Sequence, residues 1–220
     1  MEKYIIIGVF VLSFLTHLVS ILFNKNKIVD YSKCFIVSSI IGICIVFKVT
    51  NFAIYVALAF GLIGDFLLIF MDKSDKFLAL GLASFAVDHL FNYVAFLIAF
   101  GFKLPFYVYI IYGLVLACSI ILLIKPMKKM HQDLGLAGAV YFGLLFVELA
   151  FAITFLIIFA NTYVLCFLPL VGSLLFISSD TILAITNFKS HFKNDNFVVM
   201  LTYGLAQLCL AVGIGFVLII

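Results

Sequence analysis

The chain has 220 residues, 67% of them hydrophobic and only 10% charged, with a mean hydropathy of +1.36. A soluble domain averages roughly 45–50% apolar and about 25% charged residues, so these charges are too few to cover a soluble surface. The formal charge of +3 comes from lysines spread over separate loops rather than a basic stripe, which excludes a nucleic-acid partner.

Apolar runs long enough to cross a bilayer, roughly 17–25 residues each, recur from end to end. The first is expected over 4–23; it lacks a small-residue cleavage pattern before Asn24 and reads as a span rather than a cleaved leader. The second is expected over 34–48 and the third over 52–71. A single helix over both would pass far beyond a bilayer, and Lys48-Val49-Thr50-Asn51 is the plausible break, with Lys48 free to snorkel to the interface. The other spans are expected over 77–102, 104–124, 134–160, 163–187 and 197–219. These predict an all-α polytopic membrane bundle of eight transmembrane helices, with residues 1–220 as one transmembrane domain. The five cysteines are scattered without a CxxC pair, which points away from a disulfide or metal framework.

Orientation rests on lysine, since the chain has no arginine. Lys25, Lys27, Lys33, Lys73, Lys76, Lys125, Lys128, Lys129, Lys189 and Lys193 follow spans 1, 3, 5 and 7, against Lys3, Lys48 and Lys103 on the other side. The positive-inside rule then puts both termini on the non-cytoplasmic side. The expected location is an integral, multi-pass one, the inner membrane if the source is a bacterium.

Ionisable residues at depth cost about 2.5–3.5 kcal/mol each on insertion scales and need an explanation. His17, Asp65, Asp88, His89, Glu148 and Asp180 are the candidates, with Asn92, Tyr93, Tyr141, Tyr203 and Gln207 as polar neighbours. His17 lies apart from the other patterns and reads as structural, while His131 and His191 fall in loops. At ~1.5 Å per residue, Asp65, Asp180 and Tyr203 all lie about 10–13 Å from the lysine-rich side, and His89 and Gln207 lie near ~18 Å. Two carboxylates and a phenol therefore share one level, the level of a phospholipid's linkage region in the cytoplasmic leaflet. In the fourth span, Gly81, Ser84, Phe85, Asp88, His89 and Asn92 fall on one helical face, with Tyr93 at its edge.

The order of motifs resembles the YhhN family of lysoplasmalogenases. The likeness lies in Ser32–Phe35 (SKCF), Gly61–Phe70 (GLIGDFLLIF), the F-x3-G-x3-F-x3-H-x3-Y spacing within Phe77–Phe96, Gly172–Phe188 (GSLLFISSDTILAITNF) and Thr202–Leu208 (TYGLAQL). The resemblance implies hydrolysis of the vinyl ether of a lysoplasmalogen to a fatty aldehyde and glycerophosphoethanolamine or glycerophosphocholine. It carries over Lys33, Asp65, His89, Tyr93, Ser179, Asp180, Tyr203 and Gln207. Asp88 and Glu148 depart from the family pattern.

The chemistry suits those residues. A vinyl ether is protonated at its β-carbon, water adds to the oxocarbenium ion, and the hemiacetal collapses. One carboxyl must hold a proton while a second stays ionised to stabilise the cation and orient water, a role expected of Asp65 and Asp180 as one unit. Lys33 is expected to pair with the phosphate of a lysophospholipid from the cytoplasmic leaflet. His89, Tyr93, Ser179, Tyr203 and Gln207 would bind or orient, and neither metal nor cofactor is required. The main alternative is a proton-coupled transporter, which would more often show two similar halves or broken spans. A zinc hydrolase needs more deep histidines, and a serine hydrolase needs a G-x-S-x-G elbow.

Overall fold

In the computed structural model the described residues are 1–23, 26–130, 132, 134–188 and 193–218, and they form helices without a strand. Eight α-helices follow in order: α1 (Glu2–Leu22), α2 (Asn26–Val46), α3 (Phe52–Leu68), α4 (Asp75–Ala99), α5 (Phe106–Met130), α6 (Gly135–Phe159), α7 (Leu168–Phe188) and α8 (Asp195–Gly215). Seven are long and apolar enough to cross a membrane. The eighth, α3, has 17 residues, about 25 Å of helix and the short end of a spanning length. Lys25, Lys189, His131 and His191 lie outside the described residues.

Helix boundaries differ from the apolar runs where polar residues or proline intervene. α2 begins at Asn26, eight residues before its apolar run, because backbone hydrogen bonding does not need apolar side chains. Its polar first turns are fastened to α1, where His17 Nδ1 lies 2.8 Å from Ser32 Oγ. Lys33 is therefore two turns inside a helix rather than in the loop before the second span. α7 begins at Leu168 rather than 163, and Pro169 sits in its first turn, where no N–H is needed. α5 runs on to Met130 through Pro126, which removes only one ladder bond near the helix end. The break between α2 and α3 falls at Lys48, which takes the left-handed conformation (φ 60°).

Sequence neighbours pack as four helical hairpins, α1/α2, α3/α4, α5/α6 and α7/α8. α8 is the hub, touching α1, α2, α3, α4 and α7, while α5 packs mainly on α6 at the outside. Phe106, Tyr107, Leu114, Ile121 and Leu122 of α5 are exposed, as are Ile5, Leu12 and Leu15 of α1. An apolar exterior around a polar interior is the arrangement that lipid favours. The chain is thus built as an integral multi-pass membrane protein.

Candidate active site

Two small residues let α3 approach its neighbours. Gly64 faces the Phe85 ring of α4, and a Cβ on Gly61 would lie 3.0 Å from both Asp88 Oδ2 and Gln207 Nε2. Asp65, one residue on from Gly64, is carried into the same interior and is 1% exposed. Its Oδ1 lies 3.4 Å from the ammonium of Lys33 on α2, and its Oδ2 accepts a 2.9 Å bond from the Tyr203 hydroxyl of α8.

These groups line a cavity of about 260 Å³. Its polar wall is Lys33, Asp65, Ser179, Asp180 and Tyr203, with His17 of α1 behind and Asp30 and Asn196 towards the outside. Leu68, Phe85, Leu183, Val199 and Met200 form the apolar wall. The cavity lies at the end of the bundle that carries Lys73, Lys128 and Lys129. Asp180 lies eight residues before the end of α7 and Tyr203 eight after the start of α8, about 12 Å along each helix. Ser179 is buried and donates to the Val199 carbonyl at 3.1 Å, holding α7 to α8.

A second, deeper polar cluster is closed from the cavity. His89 Nδ1 lies 2.8 Å from Glu148 Oε2, with both side chains 0% exposed. Asn92 donates to Asp88 Oδ1 and to Glu148 Oε2, each at 3.2 Å. Gln207 Nε2 donates to Asp88 Oδ2 at 2.8 Å. Two tyrosines join the tiers, Tyr203 through a hydrogen bond with Gln207 and Tyr141 through two contacts. The Tyr141 hydroxyl of α6 donates a short hydrogen bond to Asp180 Oδ2, and its oxygen lies 3.4 Å from His89 Nε2.

Of the residues expected from sequence, Lys33, Asp65, Ser179, Asp180 and Tyr203 meet at the cavity, while His89 and Gln207 belong to the deeper cluster. Tyr93 is brought to neither. Its hydroxyl donates to the Leu144 carbonyl and its ring stacks on Phe151 at 5.1 Å, so it clamps α4 to α6. Asp65 and Asp180 share no hydrogen bond; each has its own partners across one cavity. His17, read from sequence as structural, lines the cavity as well as anchoring Ser32. Tyr141 gains a place that its position alone did not indicate. The available signal was its spacing of seven from Glu148, which puts both on one face of α6 two turns apart.

Among the described residues no group of three or more His, Cys, Asp or Glu is arranged to hold a metal ion. Charges are matched in pairs instead. Lys33 sits against Asp65 and His89 against Glu148, while Asp88 and Asp180 receive bonds from neutral donors. An unpaired buried charge is expensive, so this pairing constrains which carboxyls can be ionised together.

Neither the comparison with curated proteins nor that with solved structures gives a match. The YhhN family model matches residues 30–214, a stretch that runs from Asp30 at the cavity through Lys33, Asp65 and Asp180 to the last turn of α8. With one family model matched over most of its length, the chain belongs to the YhhN family, the family of the lysoplasmalogenases.

Proposed function

We propose that the protein hydrolyses the vinyl ether bond of lysoplasmalogens, the ethanolamine and choline lysophospholipids, to a fatty aldehyde and the glycerophospho-base. Asp65 and Asp180 are the acid–base pair. The observation that carries this reading is one cavity lined by two carboxylates from different hairpins, a lysine and an apolar wall. Its volume is below the roughly 300–1,000 Å³ of pockets that enclose a whole ligand. It suits the glycerol and vinyl ether linkage, with the hydrocarbon tail left among lipid.

Lys33 approaches the phosphate as a point charge while keeping contact with Asp65. Tyr203 orients Asp65, Ser179 fixes α7 against α8, and His89 and Gln207 act from the deeper cluster. Tyr93 serves packing. The lysine-rich end faces the cytoplasm by the positive-inside rule, so the substrate enters from the cytoplasmic leaflet. Protonation at carbon followed by water addition needs neither a nucleophilic side chain nor a cofactor.

The direct test is aldehyde release from lysoplasmenylethanolamine and lysoplasmenylcholine by the purified, full-length protein in detergent or liposomes. Release from these and not from the saturated ether analogue is expected. Proton-driven solute uptake without aldehyde release would replace this reading with that of a transporter.

A further inference from the structure

The two cavity carboxylates have unlike surroundings, and from that difference we infer a division of labour, resting on the function proposed above. Asp180 is the acid of the pair and Asp65 its standing anion, while Tyr141, seated by His89 and Glu148, is the positioning residue that acts through Asp180.

The partners set the roles. Asp65 is 1% exposed, has the Lys33 ammonium at 3.4 Å and accepts from Tyr203 at 2.9 Å. As a carboxylate beside a cation it completes a neutral pair, and a proton placed on it would leave Lys33 unmatched. Asp180 is half-buried and, among the described residues, has no such cation in contact. Its Oδ2 is taken by Tyr141, which leaves Oδ1 to hold a proton towards the cavity. A neutral acid there avoids an unpaired charge beside the two matched pairs.

Donor counting explains why Tyr141 can serve only Asp180. A phenol has a single proton, and here it goes to Asp180, so the contact from His89 Nε2 must be a donation to the phenol oxygen. His89 Nδ1 faces Glu148 Oε2, so both ring nitrogens donate and His89 is an imidazolium matched by Glu148. Asn92 braces Glu148 from α4. The string Glu148–His89–Tyr141 thus aims one phenol at one carboxyl from a dry interior. Asp65 is reached by a different string, Asp88–Gln207–Tyr203, which contains no cation.

The reaction then balances with Asp180 giving and recovering one proton. The Asp180 O–H bond breaks, and the vinyl π pair forms a C–H bond at the β-carbon. This leaves an oxocarbenium ion, faced by the Asp65 carboxylate, and an Asp180 carboxylate that keeps the Tyr141 bond. Water adds to the oxocarbenium carbon and loses its proton to Asp180, giving the neutral hemiacetal and restoring the acid. Collapse of the hemiacetal breaks the carbon–oxygen bond to glycerol; the hemiacetal hydroxyl proton is given up and the glycerol oxygen takes one. One water is consumed, and aldehyde and alcohol result.

The charged and titratable groups around each carboxyl differ, Lys33 alone acting on both. Asp65 is faced by Lys33 and Cys34 from α2, Asp88 from α4 and Tyr203 from α8. Asp180 is faced by Tyr141 and Glu148 from α6, His89 from α4 and, farther off, Lys33 from α2. Tyr203 of α8 is committed to Asp65, and Asp30 and His17 complete the cavity wall.

The test is the pH profile of kcat for aldehyde release by the full chain and by variants that remove one partner at a time. The acidic limb requires ionised Asp65 and the basic limb requires protonated Asp180. Tyr141→Phe removes the hydrogen bond that the Asp180 carboxylate accepts as it gives up its proton. It is expected to lower kcat roughly 10- to 100-fold with KM within a factor of about two, and to displace the basic limb. Lys33→Met is expected to displace chiefly the acidic limb. Should either first variant fail to fold, Tyr203→Phe reads the acidic limb and Glu148→Gln the basic limb. Interchanged limbs would make Asp65 the acid and overturn the assignment, and so would limbs that do not move. A wild-type chain that releases no aldehyde fails the functional reading itself, a result distinct from activity with the limbs interchanged.

Discussion

Replacing each cavity aspartate by asparagine should separate chemistry from folding. In Asp180→Asn the amide keeps the size of the carboxyl and its oxygen still accepts from Tyr141, so packing and hydrogen bonding survive. What is lost is the transferable proton. The expected fall in kcat is on the order of 10²–10⁴, about 2.7–5.4 kcal/mol of transition-state stabilisation, with detergent-phase stability near wild type. Asp65→Asn should lose a similar factor and stability besides, because Lys33, 16% exposed, is left without its anion. Breaking a fully buried pair costs about 3–5 kcal/mol; the residual exposure of Lys33 lowers the expectation to roughly 1–3 kcal/mol. Aldehyde release gives the rates, and thermal unfolding in a fixed detergent gives the stabilities. The double variant should be little slower than the worse single one, since groups that act as a unit are non-additive. A well-folded double variant releasing aldehyde at a near wild-type rate would refute the two-carboxylate mechanism, and equal stability of the two single variants would refute the role of the Lys33–Asp65 pair.

Lys33→Ala should raise KM for the lysolipid by roughly tenfold, the worth of a charge-assisted contact, but leave KM for a headgroup-free vinyl ether almost unchanged; equal increases for both would remove the phosphate contact. Chelation should leave activity intact, because the candidate acid and anion need no Lewis acid; complete loss that zinc restores would demand a metal mechanism. Reporters fused in the turns after α3, at Ser74, and after α5 should both read cytoplasmic, as the lysine asymmetry requires; a non-cytoplasmic signal from either would invert the orientation. Tyr93→Phe should lower thermal stability by about 0.5–1.5 kcal/mol with kcat little affected, since its bond ties α4 to the Leu144 carbonyl far from the cavity; a large loss of kcat in the folded variant would return Tyr93 to the site.

Much of this protein follows from its linear pattern. The eight helices were legible because lipid imposes a minimum apolar length and every backbone group must bond within its own helix. The common level of Asp65, Asp180 and Tyr203 was legible because helical rise is constant, so distance from a span's end can be counted. Boundaries carried by polar residues were less so. The apolar run of α2 does not reach back to Asn26, and the early helical turns that bring Lys33 to Asp65 are held by a contact from His17 on another helix. Only the tertiary structure decided which side chains meet. Spacing along one helix shows which residues share a face, not which neighbour that face meets. His89 and Tyr93 are four apart on α4, yet one turns to Glu148 and Tyr141 while the other turns to a backbone carbonyl of α6. Asp65, Asp180 and their separate partners come from five different helices, brought together by close packing around α8 and by glycines that admit it.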